Sequence, residues 1–307
     1  MDSGTFIQKN RNKLLSMNIQ EWKDKGSFID YNGQAIFYVD EGEGDVLLLI
    51  HGFPTSSWDW CKVWTDLVSN YRVIALDMIG FGFSDKPKAY KYSILNQADI
   101  HEFVLKQLSV DNCAILSHDY GDTVAQELLA RFNSGKLSFS VNSLCLLNGG
   151  LFPEVHKPRF IQKLLISPIG FLISLFTSKK KFTVSFKAIF GSETQPTSEE
   201  IDQFWELMNY NKGKKIMHRL IRYMEERKKY RQRWVGALES TNIPLRLING
   251  VVDPISGKHM ADRYKELISN SDVILLDEIG HYPQTEAPEQ VLKYYIEFVN
   301  KTEIVTV

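Results

Sequence analysis

The chain has 307 residues, 44% hydrophobic and 24% charged, with a net charge of −1. This is the composition of a globular protein with a sizeable core, and its balanced charge gives no reason to expect a nucleic-acid partner. Cys61, Cys113 and Cys145 lie far apart and form no CxxC or Cys/His cluster, so neither a disulfide framework nor a zinc site is indicated.

The opening MDSGTFIQKNRNKLL lacks the charged-then-apolar layout of a signal peptide, and residues 1–26 read as an N-terminal extension. SFIDYNGQAIFYVDEG (27–42) has two alternating runs about Asn32-Gly33, a hairpin signal. DVLLLIHG (45–52) and RVIALD (72–77) are continuous apolar runs, as expected of strands buried on both faces of a parallel sheet. WCKVWTDLV (60–68) and SILNQADIHEFVLKQL (93–108) have helical spacing. NCAILSHD (112–119) reads as a strand, TVAQELLARF (123–132) as a helix and VNSLCLLNGG (141–150) as a strand.

From 151 to 236 the alternation gives way to helices rich in Phe, Lys and Tyr. The most apolar window, LLISPIGFLISLF (164–176), is too short to span a bilayer and contains Pro168 and Gly170. It reads as a buried or interfacial lid segment, open to peripheral membrane contact. The basic runs at 178–181 and 219–233 read as solvated helix faces. Strand–helix alternation then resumes through IPLRLINGVVDP (243–254), MADRYKELI (260–268), SDVILLDEIGH (271–281) and APEQVLKYYIEFV (287–299). The fold class is therefore α/β, a doubly wound, mostly parallel sheet formed by 27–150 and 237–307, with a helical cap at 151–236 over its carboxyl edge.

Four loops at predicted strand ends carry chemistry-bearing residues: HGFP (51–54), SHDYGD (117–122), VVDP (251–254) and GHYP (280–283). A strand that turns sharply into a helix needs small residues two before and two after its tip. Ser117 and Gly121 flank His118-Asp119-Tyr120 in that pattern, with Asp119 where a nucleophile would sit. Alone, Asp119 equally fits a helix N-cap, Asp253 an Asx-type turn and His281 a buried structural histidine. Together, the chain order Asp119, Asp253, His281 is that of nucleophile, acid and base in an α/β-hydrolase. The backbone N–H groups of Phe53 and Tyr120 are the candidate oxyanion hole.

LLLIHGFP, VIALDMIGFGFSDKP, LSHDYGD and GHYPQTEAP resemble the epoxide hydrolase and haloalkane dehalogenase branch of the α/β-hydrolases. A narrower resemblance, to mesoderm-specific transcript-like hydrolases, rests on HGFPTSSWDW, SHDYGDTVAQELL, LNGGLFPE and RQRWVGAL. The resemblance implies an eight-stranded α/β-hydrolase fold with a helical lid after the sixth strand. It also implies Asp119 as nucleophile, His281 as base and Asp253 as its orienting acid. Some relatives place the acid after the sixth strand; here that position is Asn148, and Asp277 and Glu278 lie too near His281 along the chain.

A carboxylate needs no activating base and suits displacement at saturated carbon, giving an alkyl ester that a His281-activated water hydrolyses. The expected substrate is small and apolar, with an electrophilic carbon. Neither cofactor nor metal enters this scheme. Dehalogenases of the family carry Trp after the nucleophile and often Asn after the first His-Gly; here these positions are Tyr120 and Phe53, which favours an epoxide. A haloalkane dehalogenase and a non-catalytic ligand-binding protein are the alternatives. Tyr230, then Tyr210, is expected as the ring-opening acid, with Tyr223 also in the lid; Trp234 would be a halide donor in the dehalogenase reading. Trp58, Trp60 and Trp205 either line the pocket or pack. Asp122, one helical turn from the tip, is expected to raise a carboxylate pKa and blunt the nucleophile. Cysteine usage and the missing leader layout point to the cytoplasm, with membrane association as the alternative; monomer or dimer is left open.

Overall fold

The structure, a computed structural model, describes residues 17–305, with side chains through 301. The signal-peptide reading of the first residues lies outside the described residues.

Among the described residues eight strands form one sheet, in the order β1-β2-β4-β3-β5-β6-β7-β8. β1 (Ser27–Tyr31) and β2 (Gln34–Glu41) are the hairpin, turning at Asn32 and Gly33 with φ of 53° and 78°. Positive φ at both central residues is the turn that matches strand twist, and Asn-Gly tolerates it best. β2 runs antiparallel to β4 (Arg72–Leu76). β3 (Val46–Ile50), β5 (Asn112–His118), β6 (Ser140–Leu147), β7 (Leu245–Gly250) and β8 (Asp272–Leu276) continue the sheet in parallel. Leu47 through Ile50 and Val73 through Leu76 are completely buried, because helices cover both faces of these strands.

The helices are α1 (Ile19–Lys25), α2 (Cys61–Val68), α3 (Ile94–Gln107) and α4 (Tyr120–Asn133), followed after β6 by α5 (Phe160–Ile166), α6 (Gly170–Phe176), α7 (Lys179–Lys187), α8 (Ser198–Asn209), α9 (Met217–Leu220), α10 (Tyr223–Lys229) and α11 (Arg231–Ser240). α12 (Lys258–Leu267), α13 (Pro283–Glu286) and α14 (Pro288–Val305) complete the core. α11 packs along α4, tying the helical insertion to the helix that starts at Asp119. The apolar window 164–176 spans two short helices, broken between Ile166 and Gly170, where Pro168 disfavours the helical conformation of the residue before it. Among the described residues no helix is long and apolar enough to cross a membrane.

Part of the expected N-terminal extension belongs to the core. Asn18 and Glu21 form a reciprocal capping box at the start of α1. Trp22 is fully buried, donates from Nε1 to Ser57 Oγ at 3.0 Å, and meets Trp64 edge-on at 4.7 Å. Truncating a buried Trp removes both its apolar contacts and this hydrogen bond. Trp22→Ala is expected to destabilise the fold by about 3–5 kcal/mol in urea denaturation, and a change under about 1 kcal/mol would show that α1 is not part of the core.

Candidate active site

The turn after β5 is tight. Asp119 has φ 47° and ψ −102°, and α4 begins at the next residue. A Cβ on Gly121 would lie 2.3 Å from the carbonyl oxygen of Ile50, so only glycine lets α4 pass the end of β3 this closely. The small residue at 121 is therefore a steric requirement. Ser117 has a different job: its Oγ donates to Asp122 Oδ1 at 2.5 Å.

The Asp119 carboxylate is buried and held from three sides. Phe53 N–H donates to Oδ2 at 3.2 Å. His281 Nε2 lies 3.9 Å from Oδ2, wider than a hydrogen bond. Arg227 Nη2 lies 3.4 Å from Oδ1 and donates to the Asp119 carbonyl at 2.8 Å. Burial works to raise the carboxyl pKa, but His281 and Arg227 outweigh it and hold Asp119 well below the ordinary carboxylate range. It is ionised at neutral pH.

His281 Nδ1 donates to Asp253 Oδ2 at 2.8 Å. Burial would lower the imidazole; Asp253 and Asp119 reverse this and raise it to about 10. Burial also works to raise Asp253, but His281 and a set of donors bring it below its ordinary value. Those donors are Asn148 Nδ2 at 3.0 Å, Ser256 Oγ at 2.8 Å and the N–H of Ile255 at 2.7 Å. Asn148, at the end of β6, thus supplies an amide that orients the Asp253 carboxylate after β7. Asp277 and Glu278 are exposed, away from this network. His118 Nε2 donates to the His281 carbonyl at 2.7 Å, bracing the loop that carries this imidazole.

Asp122 was expected to blunt the nucleophile. It is fully buried, and burial raises its carboxyl well above the ordinary range. The neighbouring Asp119 charge also raises it, as the sequence suggests, so the like charge falls on Asp122 while Asp119 is held low by His281 and Arg227.

The expectations for the lid side chains need correction. Trp234 is buried, and its Nε1 donates to Glu127 Oε2 at 2.8 Å, so it has no donor free for a halide. Tyr230 packs between Trp234 and Lys229. Tyr210 packs on Phe83 beneath Lys23 and Lys86, in a separate cleft beside α1. The lid tyrosine near Asp119 is Tyr223, which is buried with its ring 4.7 Å from that of Tyr120 and 6.0 Å from that of Phe53. Among the described residues its hydroxyl meets no hydrogen-bond partner in good geometry, though Arg227 lies beside the ring. Trp58 donates to the Met17 carbonyl and Trp205 packs on Phe182; neither they nor Trp60 line the cavity described next.

Arg227 was hidden in a basic run that reads as a solvated face. It is 2% exposed, stacks 4.5 Å from the Tyr223 ring centroid and donates from Nε to Thr123 Oγ1 at 2.7 Å. The detectable signal is its spacing: positions 223 and 227 are one turn apart on α10 and share a face. A cavity of about 800 Å³ under α5, α6 and α7 opens onto Phe53 and His281, the two groups that flank Asp119 Oδ2. Leu165, Phe182, Phe186, Ile189, Met208 and Met217 make most of its wall apolar.

A parallel sheet with functional loops at its carboxyl edge, roofed by helices after the sixth strand, defines an α/β-fold hydrolase. The chain belongs to the α/β hydrolase fold family, whose model matches residues 45–288. It is 44% identical over 301 residues to the mesoderm-specific transcript protein of Mus musculus, covering 93% of this chain and 89% of that one. In fold it is similar to a haloalkane dehalogenase variant from Bradyrhizobium elkanii, with a TM-score of 0.77 at 20% identity, covering 92% of this chain and 98% of that one. It is also similar to the epoxide hydrolase CorEH, with a TM-score of 0.71 at 21% identity, covering 90% and 98%.

Two carboxylates face His281, and Asp119→Asn removes the charge of one. The imidazole pKa is expected to fall from about 10 toward its ordinary 6.5, read by NMR titration of the ring. The linkage has a definite sign. A raised histidine stabilises the fold fully below 6.5, and that contribution fades as pH rises toward about 10. The alkaline loss of stability should therefore begin near 6.5 in both proteins but be smaller and end at lower pH in the variant; an unchanged titration would assign the whole shift to Asp253.

Proposed function

We propose that the protein hydrolyses epoxides through a covalent ester on Asp119. The observation that carries this reading is an ionised carboxylate at the elbow tip, 3.9 Å from an imidazole that Asp253 orients. An Asp119 oxygen attacks the less hindered epoxide carbon as the carbon–oxygen bond breaks. The opened oxygen takes the Tyr223 proton. Burial raises the Tyr223 pKa, yet an alkoxide is far more basic, so the transfer runs downhill.

Ester formation removes the Asp119 charge and with it part of what raises His281. The imidazole pKa falls, the imidazolium gives its proton to the Tyr223 phenolate through water, and the neutral ring can then take a proton from the attacking water. That water attacks the ester carbonyl, and the N–H groups of Phe53 and Tyr120 hold the resulting oxyanion. Collapse passes the hydroxyl proton of the intermediate to the departing alkoxide, releases a diol and restores the carboxylate, with His281 again protonated beside it. A halide would need N–H donors in the pocket. Phe53 offers no side-chain amide and Trp234 is engaged by Glu127, which favours the epoxide over the haloalkane.

His281→Gln blocks the second step while leaving the first. Incubated with a panel of alkyl and aryl epoxides, it should accumulate an adduct of substrate mass on Asp119, seen by intact-protein and peptide mass spectrometry. No adduct across epoxides and haloalkanes alike would sink the ester mechanism. Tyr223→Phe keeps the ring packing and removes the proton; it should lower kcat for epoxides by about 10²-fold with little change in KM. An unaffected rate would remove Tyr223 from the reaction.

A further inference from the structure

Between residues 155 and 192 the chain has Lys157, Arg159, Lys163, Lys179, Lys180, Lys181 and Lys187, and no Asp or Glu. These seven basic residues give the segment +7 in a chain whose net charge is −1. Lys179 pairs with Asp202. Lys157, Arg159, Lys163, Lys180 and Lys181 are exposed and make no ion pair among the described residues.

The same segment displays most of the exposed large hydrophobic side chains. Phe160 is 75% exposed, Phe176 69%, Val184 66%, Ile169 51%, Phe171 50% and Leu172 47%; only Phe28 and Val252 join them from the rest of the described chain. Surface hydrophobics of a monomer are ordinarily scattered singly, and a cluster rimmed by one sign of charge marks an interaction surface. Their presence on α5, α6, α7 and the turn between the first two is not forced by packing, because each helix also has a buried side: Leu165, Ser174 and Phe182 face inward.

This surface is continuous with the cavity. Phe160, Phe176, Val184, Lys180 and Lys181 are exposed and also line the space that reaches Phe53 and His281. We propose that α5–α7 form a docking face for an anionic phospholipid bilayer, through which an apolar substrate passes from the lipid into the cavity without crossing water. Phenylalanine and leucine enter the headgroup–acyl boundary, and the lysines and Arg159 meet the anionic headgroups. A second copy of the chain is a poor occupant, since its own basic segment would face this one.

The test uses the full chain and vesicles of phosphatidylcholine with or without about 30% phosphatidylserine. The protein should co-sediment with the anionic vesicles, more weakly at high salt, and far less with pure phosphatidylcholine. Phe171→Asp with Leu172→Asp alters the apolar face at positions that do not line the cavity, and should weaken binding at least about tenfold. Lys157→Glu with Lys163→Glu changes only exposed charges and should abolish the preference for phosphatidylserine; its unchanged thermal midpoint would report an intact fold. The proposal is overturned if the wild-type chain ignores anionic vesicles, if both double variants bind as it does, or if the apolar variant turns a stable dimer into a monomer.

Discussion

The ionised carboxylate of Asp119, buried at the tip of a strained turn, is the constraint on which the site depends. An unpaired buried carboxylate would take up a proton. Here Arg227, His281 and the Phe53 N–H keep the charged form favoured. These three groups come from α10, the loop after β8 and the loop after β3, so the charge is met only when both the sheet and the helical insertion are in place. Asp122 shows the contrast. Three residues away and equally buried, it has Ser117 as a hydrogen-bond donor and no ion pair among the described residues, and burial shifts its carboxyl upward instead.

The charge of Asp119 also governs its neighbour. His281 is held high because two carboxylates face it. In the proposed reaction the first step neutralises one of them, so the imidazole becomes a usable base only after the ester has formed. The order of the two steps then follows from electrostatics and needs no movement of the residues. Asn148 and Ser256 matter to this through Asp253: their donors keep that carboxylate ionised and aimed while its partner changes.

The helices after β6 connect this chemistry to the surroundings. On one side, α10 brings Tyr223 against Tyr120 and Arg227 against Asp119. On the other, α5–α7 roof an apolar cavity and carry its exposed hydrophobic rim. A single insertion thus supplies both a counter-charge to Asp119 and the apolar wall of the cavity that reaches Phe53 and His281.

How much was legible in the sequence differs between these two layers. Buried parallel strands demand continuous apolar runs, and the loops at their carboxyl ends converge whatever lies elsewhere. The residues at 53, 119, 253 and 281 could therefore be placed near one another from LLLIHGFP, LSHDYGD, VVDP and GHYP alone. The small residue at 121 was readable because the elbow leaves no room for a side chain there. The lid is another matter. Tyr210, Tyr223 and Tyr230 have equal standing in the sequence, and Arg227 is one of many cations between 219 and 233. Which of them turns inward depends on how α10 rotates and where it crosses α4. Those angles are fixed by packing between segments about a hundred residues apart, as the Arg227–Thr123 and Trp234–Glu127 contacts record. Local sequence determined the strands, the elbow and the order of its polar residues. Only the tertiary structure decided that Asp119 is paired with a buried arginine, that burial raises Asp122, and that Tyr223 of the three lid tyrosines packs against Tyr120 and Phe53, because each rests on burial and distance rather than on residue type.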